Sequence, residues 1–258
     1  MKELIAHGSR VRAVTRSSKY GPDSVVVKTY AELTPQSADD ILVHLAESRD
    51  HSKGGPTDEE RAQRETLLSQ DWRRIVYASS AAVYGDQISR PRRVSEAIAP
   101  RAVYACWKSE GEEIVRKRGG IVARLSNMYG SGMASNNVIS DILRQLRETG
   151  PVAVRDVTPV RDYIHVDDAA KAMARMTTSG MAGSTYNVGT GLGTSVDEVA
   201  RAILEIAGQA GRDVRAGRNA AGRPSHLVLD VDATTRALGW RPDISLRVGL
   251  QRLVEAGR

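Results

Sequence analysis

The feature that most constrains this chain is an alternation in which short, nearly continuously apolar, β-branched runs are separated by longer amphipathic stretches. The runs are VRAVTR (11–16), SVVVKT (24–29), ILVHLA (41–46), RIVYASS (74–80), GIVARLS (120–126) and STYNVG (184–189). They are too short for helices, and they are apolar on both faces, as strands buried inside a parallel sheet are. Helical patterning over 58–70, 102–118, 138–149 and 166–176 falls between or beside them. Strands alternating with helices predict an α/β fold, a doubly wound parallel sheet covered by helices. Segments 197–207 and 232–238 read as helices of a C-terminal segment, and the polar SRDHSKGGPT (48–57) as a surface loop. No internal repeat is visible.

A length of 258 residues suits one such domain with a modest second lobe. With three Trp, eight Tyr and no Phe, its core must be aliphatic. The net charge of +6 and a pI near 9.6 raise nucleic-acid binding as a function class. Scattered basic residues, with no Lys/Arg run interleaved with aromatics, argue against it. The single cysteine, Cys106, excludes an intrachain disulfide and a zinc site built on Cys spacing, so no metal is expected. No apolar run approaches the roughly 18 residues of a membrane span, and the N-terminus carries no signal-peptide core. The expected setting is the cytoplasm, with no membrane partner.

The sharpest constellation is Tyr104-Ala-Cys-Trp-Lys108, on a predicted helix about twenty residues after the strand end ASSAAVYG (78–85). Residues four apart share a helix face, so phenol and ammonium can converge on one spot. A cation beside a phenol favours the phenolate and makes it a usable proton shuttle between alcohol and ketone. Ser80, at the carboxyl end of its strand, can hydrogen-bond the same substrate oxygen, and that end of an open α/β sheet is where ligands bind. A Tyr/Lys pair alone also arises by chance on exposed helices. Its company with the strand motif favours the functional reading.

With further ordered motifs the chain resembles the extended short-chain dehydrogenase/reductase family, in its nucleotide-sugar epimerase/dehydratase branch. The pieces that carry the likeness are VYASSAAVYG (76–85), YACWK (104–108), ARLSNMYGSG (123–132), VRDYIHVDDAAKA (160–172), TYNVGTG (185–191) and LGWRPDISLRVGL (238–250). The resemblance implies a Rossmann-like domain over 1–130, completed by 162–189, and a sugar-nucleotide lobe over 131–161 and 190–258. It implies Ser80, Tyr104 and Lys108 as catalytic residues, with Tyr104 the acid/base. Asn127, Arg161 and Arg223 are implied as contacts to a nucleoside-diphosphate sugar. Guanidinium forks do suit a diphosphate, although a solvated or salt-bridged Arg is the simpler alternative at both arginine positions. His165 reads as structural, and Asp167 or Asp168 as a cap of the following helix. Where the family's dehydratases carry an acidic pair after the Ser80 position, this chain has Ala81 and Ala82, which favours epimerase or ketoreductase chemistry.

The likeness breaks at the cofactor. Family members open with a strand and a Gly-rich turn whose helix N-terminus holds the dinucleotide pyrophosphate. Here ELIAHGSRVRAVTR aligns with the end of the first helix and the second strand, so about twenty residues of that opening are absent and the sheet is expected to be truncated at its first strand. The only Gly cluster, Gly189-Thr190-Gly191-Leu192-Gly193, lies too late in the chain to replace it. Val27-Lys28-Thr29-Tyr30 stands where an adenine-binding Asp is usual, and Glu60-Arg61-Ala62-Gln63-Arg64 where the family has NxxGT. Arg16 could meet an NADP 2′-phosphate or simply be solvated, and Lys108 could still attract ribose or phosphate. NAD or NADP is therefore implied by resemblance, yet weak or absent binding is expected. The missing strand would leave two inner edges to be filled by direct pairing of the flanking strands, by a partner chain, or by a missing N-terminus. Three functions remain open: an epimerase, a cofactor-independent isomerase or lyase, and a silent sugar-nucleotide-binding subunit. The chain is expected to form a homodimer or to pair with a complete homologue.

Overall fold

A computed structural model describes residues 2–6, 8–15, 24–27, 29–45, 55–217 and 225–257. Arg16, Arg223 and residues 48–54 of the polar loop lie outside the described residues. The chain runs through α1 (Lys2–Ala6), β1 (Ala13–Thr15), β2 (Ser24–Val26), β3 (Ile41–His44), α2 (Asp58–Leu68), β4 (Arg74–Ser80) and α3 (Val103–Lys117). Next come β5 (Ile121–Leu125), β6 (Asn127–Tyr129), α4 (Val138–Gln145), β7 (Val152–Val154), β8 (Val160–His165), α5 (Val166–Ser179) and β9 (Thr185–Val188). It closes with β10 (Gly193–Ser195), α6 (Val196–Ile206), β11 (Val214–Ala216), β12 (His226–Leu227), α7 (Asp232–Leu238) and α8 (Leu246–Ala256). These elements form two compact units, Met1–Val83 with Pro100–Arg124 and Ala170–Tyr186, and Tyr84–Ala99 with Leu125–Ala169 and Asn187–Arg258.

In the first unit the strands stand in the order β3-β4-β5-β9, with β3 and β4 parallel from Ile41↔Arg74 to His44↔Tyr77. Every residue of β5 and the middle five of β4 are buried, as their continuous apolar runs require. Leu68, Ile75, Tyr77, Val115 and Val122 form the core between sheet and helices. Helix α2 begins with a capping box: the Thr57 hydroxyl accepts from the Glu60 N–H at 3.1 Å, and the Thr57 N–H donates to the Glu60 carboxylate at 2.8 Å. Glu60, an acid where the resemblance expects Asn, thus serves the helix start. Helix α3 lies close on β4 because residue 111 is Gly; a Cβ there would run into the Tyr77 hydroxyl.

β1 and β2 pair in parallel from Ala13↔Ser24 to Thr15↔Val26 as a separate two-stranded sheet. The strands expected to flank a first strand in the doubly wound order are β1 and β3, and they belong to different sheets. Among the described residues, direct pairing across the gap is not the solution adopted.

The second unit is built on β8, which takes β10 antiparallel on one side, β12 parallel on the other, and β6 in parallel register along Asn127↔Tyr163 to Tyr129↔His165. Ile139 and Ile142 of α4, Val199 and Ile203 of α6, and Leu250 and Val254 of α8 close its aliphatic core with Val152. The Gly cluster at 189–193 finds its reason here. Asp162, fully buried on β8, accepts from Thr190 N–H (2.8 Å), Thr190 hydroxyl (2.7 Å) and Gly191 N–H (3.0 Å). A Cβ on Gly189 would overlap the Asp162 carboxylate, and one on Gly193 would crowd Val160 and Val228 at 2.8 and 3.0 Å. The expected aspartate cap of α5 needs correction: His165 Nδ1 accepts the Asp167 N–H at 3.3 Å, whereas Asp168 accepts from Asp243 and Ile244 N–H groups at 3.0 and 2.8 Å. An imidazole closing the strand can reach the N–H two residues on, leaving the aspartate to fasten a distant loop.

Candidate active site

Within the first unit, β4 and α3 bring Tyr104 and Lys108 to the carboxyl end of the sheet. The Lys108 side chain, only 4% exposed, donates from Nζ to the Ala78 carbonyl at 2.7 Å. Its ammonium stands 5.0 Å from the centre of the Tyr77 ring and 5.8 Å from that of Tyr104. A cation so placed is attracted to both ring faces and is held by a carbonyl at the strand's end. Tyr104 is half-buried on the first turn of α3, whose N-cap Ala102 offers no side-chain cap. Ser80 ends β4, and its hydroxyl accepts from the Ala82 N–H at 3.2 Å as the chain turns. All three residues implied as catalytic therefore lie in one unit, on adjoining elements.

Behind them lies a buried network that the sequence reading missed. Glu112, fully buried on α3, accepts from the Ser79 hydroxyl at 2.5 Å and from Arg124 Nε and Nη2 at 3.0 and 2.7 Å. Arg116, one turn on, adds a bond at 2.8 Å. Burial alone would raise the Glu112 pKa, but the bonds and charge of Arg124, with Ser79 and Arg116, outweigh it and hold the carboxyl below its ordinary range. The sequence signal was there to find, since Glu112 continues the four-residue spacing of Tyr104 and Lys108.

Of the residues implied as sugar-nucleotide contacts, Asn127 and Arg161 lie in the second unit. Asn127 is exposed on β6, opposite Tyr163 and so two positions along from Arg161. Arg161 Nη1 donates to the Ser225 carbonyl at 3.1 Å and Nη2 to the Ser225 hydroxyl at 2.7 Å, and Asp86 stands 3.7 Å from the guanidinium. The salt-bridged alternative thus describes its present contacts. Among the described residues no helix is long and apolar enough to cross a membrane, and no group of three or more His, Cys, Asp or Glu could hold a metal ion.

A family model described as "NAD dependent epimerase/dehydratase family" matches residues 1–189. The chain is 31% identical over 195 residues to the UDP-glucose 4-epimerase of Azospirillum brasilense, covering 66% of this chain and 56% of that protein. It is 27% identical over 207 residues to dTDP-glucose 4,6-dehydratase 1 of Escherichia coli K12, covering 70% and 57%. The chain therefore spans little more than half the length of these curated relatives. In fold it is similar to the UDP-glucose 4-epimerase of Thermotoga maritima solved with UDP-glucose, with a TM-score of 0.80 and 22% identity over 98% of this chain and 92% of that one.

Such a family description implies a nicotinamide dinucleotide, and the described residues fit its pyrophosphate poorly. Glu60, a carboxylate where the resemblance expects a neutral Asn, is bound to the Thr57 N–H and gives an anionic ligand no support. Lys108, the one implied cofactor contact among the described residues, is directed at Ala78.

Proposed function

Because the chain belongs to the NAD dependent epimerase/dehydratase family, we propose that it acts on a nucleoside-diphosphate sugar, as an epimerase working by proton transfer at a hydroxyl-bearing carbon. The observation that carries this reading is the Tyr104–Lys108 pair of α3, held to Ala78 near the carboxyl end of β4, the strand that ends in Ser80 and is followed by Ala81 and Ala82. Tyr104 Oη is placed to accept the proton of the substrate hydroxyl and to return it, while the accompanying hydride would pass to an added NAD or NADP and back to the same carbon. Lys108 supplies the positive charge that makes a phenolate tolerable, and Ser80 orients the substrate oxygen. A dehydration needs an acid and a base to remove water, and two alanines supply neither. Asn127, Arg161 and Arg223 are the proposed sugar-nucleotide contacts.

The poor fit to the pyrophosphate favours a second reading, in which the chain binds the sugar nucleotide without a redox partner of its own, either as an isomerase or as the companion of a complete homologue. Incubation with UDP-, dTDP- and GDP-sugars, each with and without NAD or NADP, separates the two when products are followed by NMR. Epimer formation that depends on added cofactor supports the first. Turnover without cofactor, in protein free of bound dinucleotide, replaces it with the second.

A further inference from the structure

We propose that Ser79 and Glu112 are positioning residues, which set the height of α3 against β4 and thereby place Lys108 over Tyr104. The proposal rests on the catalytic reading of Tyr104 and Lys108 given above. Neither residue lies at the reacting end of the site. Ser79 is 3% exposed and Glu112 has no exposed surface.

Three residues of α3 at four-residue spacing, Tyr104, Lys108 and Glu112, form one stripe. Two of them tie it to consecutive residues of β4: Lys108 to the Ala78 carbonyl at 2.7 Å, and Glu112 to the Ser79 hydroxyl at 2.5 Å. A helix resting on an apolar strand can slide, because dispersion contacts have little directional preference. Two polar ties on adjacent residues remove that freedom. The Lys108 tie alone is a poor register lock, since it ends on a flexible four-carbon stem. Glu112 has a shorter stem, and Arg124 grips it from β5 with two nitrogens, so the helix is indexed against two strands together. Gly111 lets the backbone of α3 come close enough for these short side chains to meet, with Tyr77 packed where a Cβ would be. The network is also expensive to bury, which would be a poor use of polar groups for packing alone.

The test is ultraviolet titration of the Tyr104 phenol, isolated as the difference between each protein and its Tyr104→Phe counterpart. It needs no substrate. Ser79→Ala removes one hydroxyl and leaves the buried Glu112–Arg124 pair whole; its Tyr104 midpoint is expected to rise by about 0.5–1 pH unit as the cation loses its fixed place. Ser79→Thr keeps the hydroxyl and restores the midpoint. The double variant Glu112→Met/Arg124→Met replaces the ion pair with apolar side chains of similar volume, changes no net charge, and is expected to give the same rise. Arg116→Ala is the control: it removes the partly exposed partner and leaves the midpoint where it was. An unchanged midpoint in Ser79→Ala overturns the proposal, as does an equal rise in Arg116→Ala, which would make the effect one of general charge. With a sugar nucleotide that the protein turns over, Ser79→Ala lowers kcat about tenfold at constant KM; a change in KM alone also overturns it. Undiminished turnover by Tyr104→Phe sinks the catalytic reading and leaves the titration result standing.

Discussion

Tyr104, Lys108 and Ser80 could be picked out of the sequence because each is tied to a local pattern. A strand end fixes Ser80, and four-residue helical spacing fixes the other two. Tyr104→Phe removes only the hydroxyl that carries the proton, so turnover should fall by about 10²–10⁴ while affinity for the sugar nucleotide holds. Parallel kinetics and calorimetry check both halves. Arg161 shows what local pattern cannot carry. Its fork is held by Ser225, far along the chain, and the Ser225 hydroxyl in turn donates to Asp86. Nothing in the spacing of VRDY announces those partners. If Arg161 exchanges this internal contact for a diphosphate, Arg161→Ala should weaken sugar-nucleotide binding by about 1.5–3 kcal/mol, the range for bonds to a charged group. Unchanged affinity by calorimetry would leave it the structural role it now displays.

Elements of the first unit were legible where apolar periodicity is long and uninterrupted. The 102–118 reading meets α3 at Val103–Lys117, and RIVYASS coincides with β4. The short strands β6, β7, β10, β11 and β12 were not foreseen, because two or three residues carry no period to read. The segment 84–99 lacks a strand or helix pattern as well, yet it is firmly pinned. Arg92, 3% exposed, donates to the Tyr84 carbonyl and to Glu96, and Glu96 also accepts from Arg90 at 2.6 Å and the Arg93 N–H at 2.8 Å. Burial would raise the Glu96 pKa, but the bonds from Arg90, Arg93 N–H and Arg92 outweigh it and lower the value to about 2. A carboxylate with a folded pKa below its unfolded one contributes stability above the unfolded value, near 4.5, and loses it as pH falls toward 2. Glu96→Gln should therefore cost about 1–3 kcal/mol at neutral pH and flatten the loss of stability between about pH 5 and 2. Denaturant melts across that window measure it; parallel curves for the two proteins would refute the linkage.

At the scale of the whole molecule, the parallel sheet was predictable and its division was foreseeable only as a gap to be filled. The flanking strands β1 and β3 now stand in separate sheets, and that bears directly on cofactor affinity. A dinucleotide pyrophosphate is bound by backbone N–H groups at a helix N-terminus reached through a close glycine turn. The described residues offer no such turn where the doubly wound order would place it. Glu60 is committed to Thr57, and Lys108 to Ala78. Lys108 alone cannot replace a preorganised cradle, because it must give up its present partner before it gains a phosphate, and the Glu60 carboxylate repels one. The isolated chain is therefore expected to bind NAD(H) or NADP(H) with a dissociation constant in the high micromolar range or weaker, about −5 kcal/mol or less favourable. Fluorescence titration of the reduced cofactors decides it. Saturation at low micromolar concentration by this chain alone would mean that the pyrophosphate has a cradle elsewhere in the protein.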